Sequence, residues 1–478
     1  MNSDQIKKLV TKRHPQYEAM LEHWNFLEAC YKGGREWFTP DNIFRYVKEG
    51  SREFKARLKR AYRFNHSREV VDLVNKYLFR PPVVRKDGAP ESVKKFWGKA
   101  TLSGLDMTEF MQTASIRSSI FGRSWVVVDT DVVAQGGRMS KKAAQSFNGP
   151  YVYLVKPQDA VDMSFDRNGE LNWILLREYK RDDTSPFAST RDILTVYRLW
   201  TRTEWFQIES VTKLPAKPEI LVEGAIQLNK EVASVNWEIT KKGKHDLGMV
   251  PVLQDDNGHG GDLYSSPSLI ADIAYLDRAC ANYASNLDAI IQDQTFSQLA
   301  MPAQNVLPGD DAYKKMVEMG TKRVFLYDGE GGVGPAYLSP DPRQAQLIIS
   351  AIGQLINEIY HSVGLAGERT KQDNSKGIDN SSGVAKSKDF ERVLALLKSK
   401  AVNLETLENK IARVVAKWAG EEYEDDLVVY SEDFSVKSLT DELEITTSIL
   451  MLDAPEPVLA KQMKLLLRRV LPRFHGRL

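Results

Sequence analysis

Between residues 262 and 366 the apolar side chains fall in a rhythm that few folds can use. Leu269, Ile273, Leu276, Cys280, Tyr283, Leu287 and Ile290 follow one another by alternating steps of four and three. That period of 3.5 keeps one seam of a helix against nearly parallel neighbours for most of its length. Ile348, Ile352, Leu355 and Ile359 repeat the pattern. Ser266-Pro267 reads as the start of the first helix and Asp341-Pro342 as the start of the second, because proline is tolerated in the first helical turn. At 1.5 Å per residue each helix is roughly 35 Å long. Between them lies a Pro- and Gly-bearing segment, 294–340, with a helical stretch expected at Ala312–Met319 and a strand at Arg323–Tyr327.

The second helix runs out at Gly364-Leu365-Ala366-Gly367, and the polar stretch Arg369–Gly383 that follows is too poor in apolar residues to bury a core. A flexible loop is expected there. A third long helix then carries Phe390, Leu394, Leu397, Ala401, Leu404, Ile411, Val415 and Trp418, to about Gly420. After it come a short strand, Leu427–Tyr430, and helices, the last being Val458–Val470 behind Pro455-Glu456-Pro457.

Ahead of the seamed helices the texture differs. Residues 1–115 show helical patterning broken by turns such as Lys32-Gly33-Gly34 and Arg80-Pro81-Pro82. From 116 to 261 the runs are β-branched and aromatic: Trp125–Val128, Tyr151–Val155, Trp173–Leu176 and Val196–Trp200. Such runs predict antiparallel strands. Asn168-Gly169 supplies a tight hairpin, and Gly136–Gly149 a mobile polar loop. The class is therefore α+β, in several units, since 478 residues exceed what one core organises.

Charge is uneven although the net is only +1. Arg52, Lys55, Arg57, Lys59, Arg60, Arg63 and Arg68 stand against Glu53 alone, and the tail from Lys461 to Arg477 is basic. From 262 to 293 the bias reverses, with Asp262, Asp272, Asp277, Asp288 and Asp293 opposed by Arg278. The basic run is read first as the solvated face of an amphipathic helix, with nucleic-acid binding as the alternative. With no long apolar stretch and no apolar leader after Met1, the chain is expected to be soluble and unexported. Cys30 and Cys280 are too few for a disulfide framework or a cysteine zinc site and read as small buried hydrophobes.

Chemical signatures are few, and each fails in context. Gly329-Glu330-Gly331-Gly332-Val333-Gly334 matches a dinucleotide fingerprint, but Pro335, Pro340 and Pro342 follow where a helix must open, and Glu330 would face the phosphates. No Walker loop exists. His259 sits in a Gly-His-Gly-Gly turn resembling an esterase oxyanion loop, without a nucleophile elbow. Asp255-Asp256-Asn257-Gly258 has the oxygen-rich look of a calcium loop but lacks the rest of the ligand ladder, so a turn is expected. The histidines show no zinc spacing. The expectation is a non-enzyme with no catalytic residue, cofactor or metal.

The order of these parts resembles one family, the portal proteins of tailed bacteriophages. Local phrases resemble it too: Asn65, Val70-Val71 and Tyr77–Pro82, then Phe121-Gly122-Arg123-Ser124-Trp125 leading to Val128-Asp129. So do His245–Val252, Ser266–Leu269 and Asn380–Ala385. The resemblance implies a wing over 1–261, a first stem helix over 262–293, a small α/β clip over 294–340 and a second stem helix over 341–366. It further implies a tunnel loop over 367–386, a long wing helix over 387–420 and a helical crown over 421–478. The subunits would form a ring, usually of twelve, at one capsid vertex of the virion, assembled in the host cytoplasm. Double-stranded DNA would pass through it during packaging and ejection. The implied partners are the terminase large subunit, a head-completion adaptor, the major capsid protein and a scaffolding protein, with no membrane.

On that reading Asp272 and Asp288 of the first seamed helix are expected to line the channel as an acidic wall along which DNA slides. Arg369, Lys371, Lys376 and Lys386 of the tunnel loop are expected to touch DNA at the narrowest point. The competing readings are a coiled-coil capsid scaffold, which would not need the β region from Ser124 to Leu253, and a nucleic-acid enzyme, which would need a phosphate cradle or a metal-binding carboxylate cluster.

Overall fold

The structure is a computed structural model. It describes residues 2–130, 149–181, 183–187, 189, 193–211, 236–258, 261–295, 298–302, 324–327, 336–338, 342–365, 383–423, 427–434 and 455. The chain forms one compact unit, Met1–Ser431, and a second, Glu432–Leu478. The expected C-terminal helix Val458–Val470 lies outside the described residues.

The compact unit opens with helices: α1 (Ser3–Thr11), α2 (Pro15–Lys32), α3 (Ser51–Arg60), α4 (His66–Leu78), α5 (Glu91–Gly98) and α6 (Met107–Phe121). Their ends follow from sequence. Asn2 and Gln5 form a capping box on α1, and Asp106 and Glu109 form one on α6, each pair satisfying amides that the first helical turn leaves free. Around α2, α4 and α6 the side chains of Leu27, Cys30, Val70, Val74, Met107 and Met111 are shut from water.

Gly122 stops α6 at φ +84, in the left-handed region. A strand begins at the next residue. β1 (Val84–Arg85) lies between α4 and α5, and the main β region is β2 (Arg123–Thr130), β3 (Pro150–Val155), β4 (Ala160–Phe165), β5 (Leu171–Arg181), β6 (Ile193–Thr201), β7 (Glu204–Val211), β8 (Glu238–Lys244) and β9 (Val252–Asp256). One sheet runs β3-β2-β9, and the other is an antiparallel meander in the order β4-β5-β6-β7-β8. The four strand runs expected from sequence all lie in strands, and Gly169, at φ +80, turns the β4–β5 hairpin, in which Phe165 pairs with Leu171. β4, β7, β8 and β9 were not expected as separate strands. Trp125, Val127, Ile174, Leu176, Trp200 and Val252 pack between the sheets. The loop expected over Gly136–Gly149 falls outside the described residues up to residue 148.

The long helices are α7 (Ala271–Thr295), α8 (Pro342–Ser362) and α9 (Gly383–Ala419). Between α7 and α8 stand β10 (Gln298–Pro302), β11 (Val324–Tyr327) and β12 (Ala336–Leu338), a sheet in the order β11-β10-β12 with β10 parallel to β11 and antiparallel to β12. The helix expected at Ala312–Met319 lies outside the described residues, as does the Gly329–Gly334 run. β13 (Val428–Val429) pairs with β1, Val84 opposite Val429, and so joins the end of the compact unit to its helical beginning.

Two boundaries differ from the sequence reading. The first seamed helix starts at Ala271 rather than Ser266-Pro267. Ser268 Oγ donates to the Ile120 carbonyl at 2.7 Å and accepts from the Ile270 amide at 3.1 Å, while the Leu269 amide donates to the Ser119 carbonyl at 3.0 Å. Residues 266–269 are thus tied to the end of α6, and the helix begins once free of it. The third long helix starts at Gly383, four residues before the expected 387.

Candidate functional site

The two seamed helices pack against each other, and α4 packs against both. On α7 the inner face is Ile273, Ala274, Asp277, Cys280, Ala281 and Ala284, all buried. The small residues let α8 approach with Ile356, Ile359 and Tyr360. The seam predicted from spacing is only partly covered: Ile273 and Cys280 are buried, while Tyr283 stays 40% exposed. Tyr275 and Ile291 of α7 and Leu347 and Ile349 of α8 also face water. Burial of such side chains is worth about 1.5–3 kcal/mol each, so these faces favour a partner.

A buried carboxylate in the middle of the inner face needs explanation. Asp277 accepts from Arg63 Nη2 at 2.8 Å, from the Ser67 amide at 3.0 Å and from Ser67 Oγ at 2.7 Å. The Arg63 guanidinium lies over the Trp37 ring at 4.4 Å and also donates to the Cys30 carbonyl at 2.6 Å. The charge on α7 is therefore met by the basic segment that precedes α4. Basic side chains from that segment reach α7 again about two and three turns further on. Arg57 donates to Ser285 Oγ at 2.9 Å, to the Phe44 carbonyl at 2.8 Å and to both oxygens of Glu49 at 2.8 Å. Those bonds from Arg57 hold the Glu49 carboxyl below the usual carboxylate range. Arg60 reaches Asp288 at 3.4 Å, and Gln292 donates to the same oxygen at 3.2 Å. Asn282 completes the brace, donating to the Asn42 carbonyl and accepting from the Phe44 amide, both at 2.8 Å.

This arrangement decides how the sequence-predicted residues stand. Asp288 is half-buried and braced by Arg60 of its own chain. Asp272 lies exposed in the first turn of α7, close enough to His23 for its charge to oppose the drop that burial imposes on that histidine's pKa. Arg369, Lys371 and Lys376 lie outside the described residues. Lys386 is on the first turns of α9, and its side chain lies outside the description.

Where α8 meets the body, His66 Nδ1 lies 3.2 Å from the Tyr360 hydroxyl, which donates to Glu69 at 2.5 Å. Nearby, Tyr62, Phe64, Cys280, Leu287, Ile352 and Ile356 line an apolar groove of about 190 Å³.

A second polar centre holds the root of α7 to α9. Lys400 is buried, with Nζ donating to Ser119 Oγ at 2.9 Å and to Asn257 Oδ1 at 2.5 Å. Asp255, also buried, accepts from Ser124 Oγ at 2.8 Å. Burial pushes the Asp255 carboxyl up to about 7 and the Lys400 ammonium down to about 8, each held back by the other's charge. Asn257 donates to the Pro267 carbonyl at 3.0 Å. One cluster therefore joins α6, β2, β9 and α9 at the point where the chain leaves for α7.

The Asp255–Gly258 stretch, expected as a turn, is the end of β9 and the residues beyond it. Its carboxylates are engaged in protein contacts, since Arg123 holds Asp256 at 2.5 Å. Among the described residues no group of three or more His, Cys, Asp or Glu side chains is placed to hold a metal ion, and no helix is long and apolar enough to cross a membrane. His259 lies outside the described residues. Both cysteines are buried, and burial pushes the Cys30 thiol up to about 11.

No protein-family model and no curated protein matches the chain. Among solved structures it is similar to a chain in the neck of an empty gene transfer agent particle computed with C6 symmetry, at 12% identity and TM-score 0.40, over 89% of this chain and 99% of that one. A chain in the neck of the native particle computed with C12 symmetry gives 12%, 0.39, 80% and 85%. A chain in the virion of the native particle gives 12%, 0.37, 93% and 96%.

Proposed function

We propose that this chain is the subunit of a phage portal: a ring at one capsid vertex through which double-stranded DNA is packaged, retained and ejected. The observation that carries the reading is the paired α7 and α8, joined by a small three-stranded sheet and rooted in a helical and antiparallel-β body, with apolar side chains left in water on both helices. A monomer leaves Tyr283, Leu347 and Ile349 in solvent; a neighbour in a closed ring would cover them. The order of parts from wing to crown supports the same reading. In it the small sheet is the clip on which terminase and later the adaptor dock, and the body faces capsid and scaffolding proteins. Asp272 and Asp288 line the channel as an acidic wall, Asp288 while braced to Arg60. Arg369, Lys371, Lys376 and Lys386 ride along the DNA as a repeated weak contact around the ring.

Negative-stain imaging of the purified chain tests this. Rings with a central hole are expected, whereas compact monomers at high concentration would refute the reading. Deleting Asp373–Asp379 should leave rings intact and lower DNA packaging or retention in an assembly assay. Unchanged packaging would reduce the loop to a connector.

A further inference from the structure

The basic segment divides into two sets once α7 is in place. Arg57 and Arg63 turn inward to Ser285 and Asp277, and Arg60, though exposed, is tied to Asp288. Arg52, Lys55 and Lys59 are exposed and have no ion pair or hydrogen bond among the described residues. On a helix these three lie within about 60° of one another around the axis and span about 10 Å along it. They cannot roll away, because α3 is pinned by buried Phe54 and by the Arg57 bonds to Glu49, Ser285 and the Phe44 carbonyl. Glu53 is the only carboxylate on α3. Lys48, Tyr46, Tyr62 and Phe64 flank the helix and are exposed as well, the last at 66%.

We propose that the outer face of α3 is a nucleic-acid site that grips a phosphate backbone through Arg52, Lys55 and Lys59, with the exposed rings of Tyr62 and Phe64 beside it. The chemistry selects this partner. About 10 Å of duplex axis presents roughly three phosphates per strand, matching three fixed cations. A bilayer would demand an apolar outward face, but the outward face of α3 carries Arg52, Lys55 and Lys59, and its one large buried apolar side chain is Phe54. A protein partner would prefer a charge-depleted centre, and this face has none. With a chain net charge of +1, attraction to DNA has to come from a local row rather than from the whole molecule. The site uses none of residues 367–386 and does not depend on the channel reading.

The test uses the full chain, a short fluorescent duplex of arbitrary sequence, and anisotropy over a series of salt concentrations. Binding without sequence preference is expected. The R52Q/K55Q/K59Q variant should flatten the log–log salt slope by about three units. The R52K/K55R/K59R variant should keep it, and so should K241Q/K242Q/K244Q on the exposed edge strand β8. Arg52, Lys55 and Lys59 have no partners to lose among the described residues, so the melting temperature of the glutamine variant should not move. If the triple variant nevertheless melts early, the single variants give the same readout at about one unit each. An unchanged slope in the glutamine variants, no duplex binding at the lowest salt, or binding to anionic phosphatidylserine vesicles or an acidic polypeptide in place of DNA would each overturn the proposal. Imaging the same samples separates the two readings: bound DNA without rings sinks the portal and leaves this site standing.

Discussion

Asp277 shows how one residue can make a helix depend on a distant segment. A carboxylate with no exposed surface is tolerated because Arg63 and Ser67 supply three hydrogen bonds. Removing one partner of such a pair strands the other, at a cost of about 3–5 kcal/mol. Arg63→Ala should therefore lower the denaturation midpoint sharply, whereas Lys55→Ala on the same basic run should leave it nearly unmoved; equal effects in urea titrations would refute the account. Asp255 behaves differently, because burial raises its carboxyl from the ordinary carboxylate range to about 7. The native state then binds the proton more tightly than the unfolded chain does. This group's contribution to stability is present below about pH 4 and is lost as pH rises toward 7. Asp255→Asn should flatten that slope. Melting temperatures of parent and variant compared at pH 4, 5, 6 and 7 check it, and parallel curves would contradict the sign.

At the scale of elements, the root of α7 is where sequence reasoning fell short. Ser266-Pro267 carries a sound start signal, yet the helix waits until Ala271 because Ser268 and Leu269 are spent on the carbonyls at the end of α6. No local rule reports a bond to a carbonyl so far back in the chain. β8 was missed for a different reason: Glu238–Lys244 is nearly all polar, as an exposed edge strand can be, and it lacks the alternation that marks a half-buried one. The runs around Trp125, Tyr151, Trp173 and Val196 were legible because each is apolar enough to announce its own burial. The opposite charge biases of 52–68 and 262–293 were visible too, but spacing cannot say that Arg57, Arg60 and Arg63 would be used up inside the chain while their neighbours on α3 stay outside. Gly122 is a further test of the root. A Cβ there would run into the Ser266 carbonyl oxygen, and φ +84 already disfavours any side chain. Gly122→Ala should loosen the junction, read as faster amide exchange in residues 268–275. Protection equal to the parent's would show that the turn can shift at no cost.

For the whole compact unit, the decisive contact joins its last strand to β1 among the N-terminal helices. β1 pairs with β13, the Lys86 amide donates to the Leu427 carbonyl at 2.8 Å, and Asn409 brackets Val428 with bonds of 3.1 and 3.2 Å. Glu408, buried beneath, holds Arg85 at 2.6 Å and accepts from the Tyr430 hydroxyl at 2.8 Å. A chain ending after Gly420 should be cut rapidly by low protease, and one ending after Ser431 should resist; equal sensitivity would show that the seam is dispensable. The seam also sets a clock. At roughly 5–20 residues per second, a ribosome makes β1 tens of seconds before β13 exists. For nearly all of that interval the nascent chain carries an open edge and an Arg85 without its carboxylate. The last stretch of the compact unit to be synthesised is thus the one that lets β1, made among the early helices, fold shut.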